Sequence, residues 1–271
     1  MADKPKILVA IPAYNCEKQI GRVLKGFDKQ TLDRIERVIV IDDRGGDNTA
    51  SVAQAAIDKL KIGNKVKVVQ NVKNLGLGGS HKMAILHGEN MGADYVAILH
   101  GDDQAKAKEL NNLFDVAVKD PSVGAVLGSR FMKGADLEGY AKERIWGNRV
   151  LNAAYTVLSF KLTRDLGSGL NLFRLQDLAD RRYLGFDDRM TFNFDLLLDY
   201  YSKGTKLVNI PITWHESDQV TNARNVQVAK RAARQLLLWR VGALKFEPRD
   251  AALYQSKPYK PEPKKATRKR K

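Results

Sequence analysis

The segment His100-Gly101-Asp102-Asp103-Gln104 directly follows the apolar run Tyr95-Val96-Ala97-Ile98-Leu99. A buried strand ending in carboxylate and amide side chains delivers hard oxygen ligands to the carboxyl edge of a sheet, where open α/β sheets bind ligands. Mg2+ or Mn2+ held there by one or two carboxylates keeps its other positions for water and a substrate's phosphates. A second acidic pair, Asp42-Asp43, follows the apolar stretch from Arg37 to Ile41 in the same way. A carboxylate at such an edge accepts hydrogen bonds from a base N–H or a ribose hydroxyl, whereas Asp47 and Asn48 suit the capping of the next helix. Two adjacent acids exceed the needs of a cap, so Asp42 and Asp43 are expected to face a ligand. Upstream, Ile7 to Ile11 runs into Pro12-Ala13-Tyr14-Asn15. The proline stops a strand ladder and Tyr14 can lie against a flat ring. In Asn74-Leu75-Gly76-Leu77-Gly78-Gly79 the glycines permit close backbone approach ahead of a helix. This turn follows the third strand rather than the first and lacks the Gly-Lys-Ser/Thr ending of a phosphate loop.

These residues sit at the ends of alternating elements. Apolar strands at Ile7 to Ile11, Arg37 to Ile41, Lys65 to Val69, Tyr95 to Leu99 and Val123 to Leu127 are separated by segments of helical period. The first helix carries Ile20, Val23, Leu24 and Phe27; the fourth carries Leu110, Leu113, Phe114 and Ala117. Strands alternating with helices at this spacing predict an α/β fold with a mostly parallel, Rossmann-like sheet. His81 and His87 fall six residues apart on one helix, poor spacing for a shared metal, and read as structural or surface residues.

Composition narrows the classes. The 271 residues, 44% of them hydrophobic, suffice for one large core. No run reaches the ~18 apolar residues of a membrane span, and Met-Ala-Asp-Lys-Pro-Lys does not read as a secretory leader. The sole cysteine, Cys16, excludes an internal disulfide or a thiolate metal cluster. A cytoplasmic protein without its own span is expected. The net charge of +15 points to an anionic partner, and from Lys257 to Lys271 eight Lys/Arg stand against one Glu. That stretch holds Pro258, Pro261 and Pro263 and is expected to be a disordered basic tail. No aromatic and basic residues interleave in an RNA-binding signature, so nucleic acid is not an expected partner.

Taken in order, Pro12-Ala13-Tyr14-Asn15, Asp42-Asp43, Asn74 to Gly78, Gly101 to Gln104 and Gly128-Ser129-Arg130-Phe131 resemble the inverting glycosyltransferases of family 2. The resemblance continues through Asp165 to Phe173, Phe192-Asn193-Phe194-Asp195 and Ile210 to Trp214, and is greatest to the dolichyl- or polyprenyl-phosphate sugar synthase branch. It implies a GT-A fold, a UDP- or GDP-linked sugar as donor, and Mg2+ or Mn2+ between protein and diphosphate. Carried over, Pro12, Tyr14, Asp42, Asp43, Gly76 and Gly78 would line the nucleotide-sugar site. Asp102 and Gln104 would meet metal and diphosphate, and Arg130 would meet phosphate as a bidentate donor. Asp165 and Ser168 would shape the sugar and acceptor pocket. His100 stands where the family often has an acid; a neutral imidazole can ligate Mn2+ or can support the strand end. Cys16 replaces a usual glutamate, and after Trp214 the nearest cation is Arg224.

Two acceptor classes stay open. A polyprenyl phosphate is already ionised and needs only placement. A hydroxyl of a glycan, glycolipid or small molecule needs a base, for which Asp195 is the candidate. The expected organisation is a glycosyltransferase domain over residues 1–225, an amphipathic helix over 226–250 and a basic tail over 251–271. The helix would set Ala232, Leu236 and Trp239 against an anionic membrane surface, or against the domain itself. A synthase without its own span leaves room for a membrane partner subunit. A non-catalytic polyanion-binding protein has only the charge in its favour.

Overall fold

The computed structural model describes residues 4–216, 218, 225–247 and 249–261. Strands β1 (Ile7–Ala13), β2 (Arg37–Asp42), β3 (Val66–Asn71) and β4 (Tyr95–Leu99) form the parallel half of the main sheet. Between and after them run α1 (Ile20–Lys25), α2 (Lys29–Asp33), α3 (Thr49–Leu60), α4 (Gly76–Met91) and α5 (Leu110–Lys119). Every residue of β1 is buried, and its side chains divide by parity. Ile7, Val9 and Ile11 join one core layer with Ile20, Leu24, Leu113 and Phe114, while Leu8 and Ala10 join the opposite layer with Met83 and Ile85. A strand covered on both faces needs a continuous apolar run, which is what the sequence provides.

The second half is mixed. It comprises β5 (Ala125–Ser129), β6 (Asp136–Glu138), α6 (Lys142–Ser159), β7 (Leu170–Arg174), α7 (Phe192–Lys203), β8 (Leu207–Pro211), β9 (Thr213–His215), α8 (Asn225–Arg240) and β10 (Ser256–Pro258). The eight-stranded sheet has the order β10-β3-β2-β1-β4-β7-β5-β8. β7 lies antiparallel between β4 and β5, and β6 pairs with β9 in a separate ribbon. A third apolar cluster, with Tyr155, Leu166, Phe194, Leu198, Ala232 and Leu236, joins α6, α7 and α8.

In the C-terminal segment α8 takes the second of the two readings, against the domain, and the expectation of disorder from Lys257 onward is corrected for residues up to 261. The apolar side of α8 does not face outward: Ala232 and Leu236 are buried in that cluster, and Trp239 Nε1 donates to Ser202 Oγ at 2.8 Å. Residues 251–261 are ordered, because β10 pairs antiparallel with the otherwise free edge of β3. Buried Lys82 helps to hold that end down, its ammonium donating to Tyr254 Oη (2.9 Å), Asp188 Oδ1 (2.6 Å) and the carbonyls of Leu184 (3.1 Å) and Phe186 (2.6 Å). The last ten tail residues, 262–271, and Arg224 lie outside the described residues.

Candidate active site

The parallel strands β1, β2 and β4 bring Tyr14, Asp42 and Asp102 to one edge of the sheet. Pro12 sits in β1 past the point where the ladder to β4 ends, and its carbonyl accepts from Gly101 N at 2.9 Å. A Cβ on Gly101 would stand 2.9 Å from Ala13 Cβ, so glycine lets the chain cross the end of β1. Tyr14 remains exposed and free to stack. Asp42 is buried and accepts from Gln70 Nε2 at 2.7 Å; burial pushes its carboxyl pKa up. Asp47 behaves as a local organiser, taking the N–H groups of Thr49 (3.1 Å) and Glu17 (2.9 Å).

Asp43 and the glycines tie the turn to the sheet. Asp43 Oδ1 accepts from Asn71 Nδ2 (2.7 Å) and Leu75 N (2.8 Å), and Oδ2 accepts from Gly76 N (2.8 Å). Its carboxylate is therefore engaged by the unpaired donors at the start of α4 and fixes the glycine-rich turn to the sheet. The close approach that the glycines allow is made by protein backbone. A Cβ would fall 2.5 Å from Asp188 O at Gly76 and 2.3 Å from Asp187 O at Gly78. Gly76 also has a φ of +76°, in the left-handed region.

Beyond β4 the chain folds over the site. Gln104 N donates to Asp102 Oδ1 (3.2 Å), Gln104 Nε2 to Glu216 Oε1 (3.4 Å), and His215 N to Gln104 O (3.0 Å). Asp102 is partly accessible, and burial holds its pKa above the ordinary carboxylate value. Asp103, at φ 63°, turns away to pair with Arg22 Nε at 2.6 Å. His100 is drawn into a pair with buried His81, Nε2 to Nε2 at 3.4 Å, and packs on Gly169, whose added Cβ would lie 2.5 Å from His100 Nδ1. Its ring partner is therefore another imidazole, while burial lowers its pKa and the charge of Asp102 acts against that fall. Burial drives the His81 pKa down to about 3, so it is neutral at pH 7. Helical spacing had shown His81 only in relation to His87, and the partner across the sheet had no local signal.

Arg130 was expected to meet phosphate. Instead its guanidinium is buried and forks onto Asp165, Nε to Oδ2 and Nη2 to Oδ1 both at 2.8 Å, with Nη1 on Tyr140 Oη at 3.2 Å. The rings of Trp214 (5.0 Å), Phe131 (5.2 Å) and Tyr140 (5.5 Å) surround it. A Cβ on Gly167 would come 2.8 Å from Nη2. The pair thus occupies the Nε–Nη2 fork of the guanidinium. Ser168 is buried and turns its hydroxyl to the backbone of Leu170 (3.2 Å). Asp195 is 1% exposed, with Oδ2 on Asp187 N (2.9 Å) and Oδ1 on Gln235 Nε2 of α8. Burial raises its pKa to about 7. Helical period places Arg231 on the polar side of this segment and gives no signal for Gln235; the tie from α8 into the site through Gln235, and the Arg231–Asp187 pair at 3.1 Å, come from the fold.

An open mixed sheet with acids at the carboxyl ends of β2 and β4 defines a GT-A-type α/β fold. Residues 8–181 match the family model described as glycosyl transferase family 2. The chain belongs to that family and is a glycosyltransferase. An N-acetylglucosaminyltransferase of Methanococcus voltae, named for UDP-N-acetylglucosamine and dolichyl phosphate, is 28% identical over 64% of this chain and 70% of its own. A dolichyl-phosphate β-glucosyltransferase of Dictyostelium discoideum is 24% identical over 80% of this chain and 68% of its own. In fold the chain is similar to glucosyl-3-phosphoglycerate synthase of Mycobacterium tuberculosis, solved with Mn2+ and UDP. The TM-score is 0.65 at 14% identity, over 89% of this chain and 81% of that one.

Proposed function

We propose that the protein transfers a sugar, with inversion, from a UDP- or GDP-linked donor to a polyprenyl phosphate at the cytoplasmic face of a membrane. The observation that carries the choice of acceptor is the enclosure of Asp195. A general base must reach the proton it removes, and this carboxylate is buried with both oxygens already bonded within the protein. An acceptor phosphate is ionised near neutral pH and attacks without a base. Its oxygen forms the bond to the anomeric carbon as the bond to the donor diphosphate breaks, and the nucleoside diphosphate leaves with the electron pair. The names of the M. voltae and D. discoideum relatives support this acceptor class.

Tyr14 is suited to stack on the base and Asp42 to accept from the nucleoside. A divalent cation fits the edge: Asp102 and Gln104 would hold it, and when bound it would neutralise charge on the leaving diphosphate. Among the described residues no group of three His, Cys, Asp or Glu converges on a metal position. That suits an ion which the donor's own phosphates complete, Mg2+ or Mn2+. Arg130 and Asp165 act as positioning residues for the sugar pocket. The test is transfer from labelled UDP- and GDP-sugars to undecaprenyl or dolichyl phosphate with Mn2+, followed by the anomeric configuration of the product. Label in the organic phase with inverted configuration supports the reading. Retention of configuration, or label only on water-soluble hydroxyl acceptors, overturns it.

A further inference from the structure

α6 is apolar on two sides. Its inward side packs Tyr155, Leu151 and Leu158 into the third apolar cluster and sets among them Asn148, Asn152 and Ser159, whose side chains are hydrogen-bonded. Asn152 donates to Arg164 O (2.8 Å) and accepts from Leu166 N (3.2 Å), holding the loop that carries Asp165. Its outward side, at helical spacing, carries Trp146, Val150, Ala153 and Val157 and ends at Phe160. Trp146 is 71% exposed, Val157 67% and Phe160 78%. Exposed Leu237 on α8 and Val241 just past its end lie beside the point where the Arg240 guanidinium stands 5.1 Å from the Phe160 ring. A surface helix ordinarily spends its apolar residues on the core side; α6 keeps a second apolar stripe exposed, and contiguous exposed apolar surface marks an interaction site.

Charge decides what covers it. Residues 142–164 and 225–247 together hold ten Lys/Arg and two Glu. A second copy would bring the same cations against these, whereas an anionic lipid surface complements them and admits Trp and Phe at headgroup level. No helix among the described residues is long and apolar enough to cross a membrane, so the contact is lateral. We propose that the outer face of α6, extended by Phe160 and the edge of α8, seats the enzyme on an anionic bilayer. This deepens the polyprenyl-phosphate reading and rests on it for its purpose, because α6 then stands between the lipid surface and the Asp165 loop.

The test is co-sedimentation of the full chain with vesicles of phosphatidylcholine, alone and with about 30% phosphatidylglycerol, without polyprenyl phosphate. The wild type is expected to bind the anionic vesicles, with a blue shift in tryptophan emission, and to release as salt rises from about 0.1 to about 0.5 M. Val157→Asp with Phe160→Asp is expected to weaken binding about tenfold or more. The milder Trp146→Ser is expected to abolish most of the emission shift with an unaltered thermal midpoint. Unchanged partitioning of both variants overturns the proposal, as does a wild type that ignores anionic vesicles. A concentration-dependent dimer dispersed by the same substitutions would assign the face to a second copy and overturn it as well. Transfer to detergent-dispersed polyprenyl phosphate tests the acceptor separately: if it persists without vesicle binding, only the docking face is wrong.

Discussion

The half of the molecule around β1–β4 and the half around α6–α8 each bury an apolar core but differ in what they leave outside it. In the first, apolar side chains point into two core layers and the acids gather at strand ends, where Asp42, Asp43 and Asp47 accept from nearby donors. In the second, a charged pair is buried under aromatic rings, Asn152 shares the inner side of α6 with Tyr155 and Leu158, and a further apolar stripe looks outward. α8 sharpens the contrast, since its apolar stripe is the buried one. An amphipathic pattern therefore identifies a face without saying which side of it meets solvent.

The contrast is attacked most severely at its buried charge. Asp165→Ala leaves the Arg130 guanidinium enclosed without its counter-ion and is expected to cost about 3–5 kcal/mol. The urea midpoint measures it, and a wild-type midpoint would mean the pair contributes nothing. In the other half, Asp102→Asn is expected to lower transfer by about a hundredfold while stability changes by less than about 0.5 kcal/mol. Calorimetry with Mn2+ and nucleotide reads the loss of binding; full metal-dependent affinity in the variant would remove Asp102 from the metal edge. Gly78→Ala forces a Cβ against Asp187 O, 2.3 Å away, and should cost about 1–3 kcal/mol. Gly46→Ala, with open space around it, should cost less than about 0.5 kcal/mol. Equal melting shifts would contradict the packing assigned to the turn.

The smallest effect is at Asp195, and pH exposes it. Its folded pKa of about 7 lies above the ordinary carboxylate value, so between pH 4 and 7 the native state binds more protons than the unfolded chain. The stabilisation from this group is full below the unfolded pKa and is lost as pH rises through 7. Asp195→Asn should flatten that decline while changing stability at pH 7 by about 1 kcal/mol or less. A decline as steep as in the wild type would place the titration elsewhere.

Much of the parallel half was legible because its signals are local: apolar runs of strand length, helical spacing, acids at the ends, and a turn rich in glycine. The motif order pointed to the family and the GT-A fold. Three features had no local signal. The glycines of Gly76 to Gly78 could accommodate phosphate or protein equally well, and only the fold brings Asp187 and Asp188 against them. Arg130 and Asp165 meet through the placement of β5 beside β7. The ordered end at β10 depends on a vacant edge of β3 and on the oxygen partners that Lys82 requires once buried. Each is a pairing between distant segments, which composition and periodicity do not encode.

The central claim is that the acceptor arrives ionised and that Asp195 is not its base. The most direct measurement is the rate of sugar transfer to polyprenyl phosphate by Asp195→Asn beside the wild type, at saturating donor and Mn2+. The account predicts rates within about threefold of each other, whereas a loss of about 10²–10⁴-fold, the ordinary contribution of a general base, would contradict it.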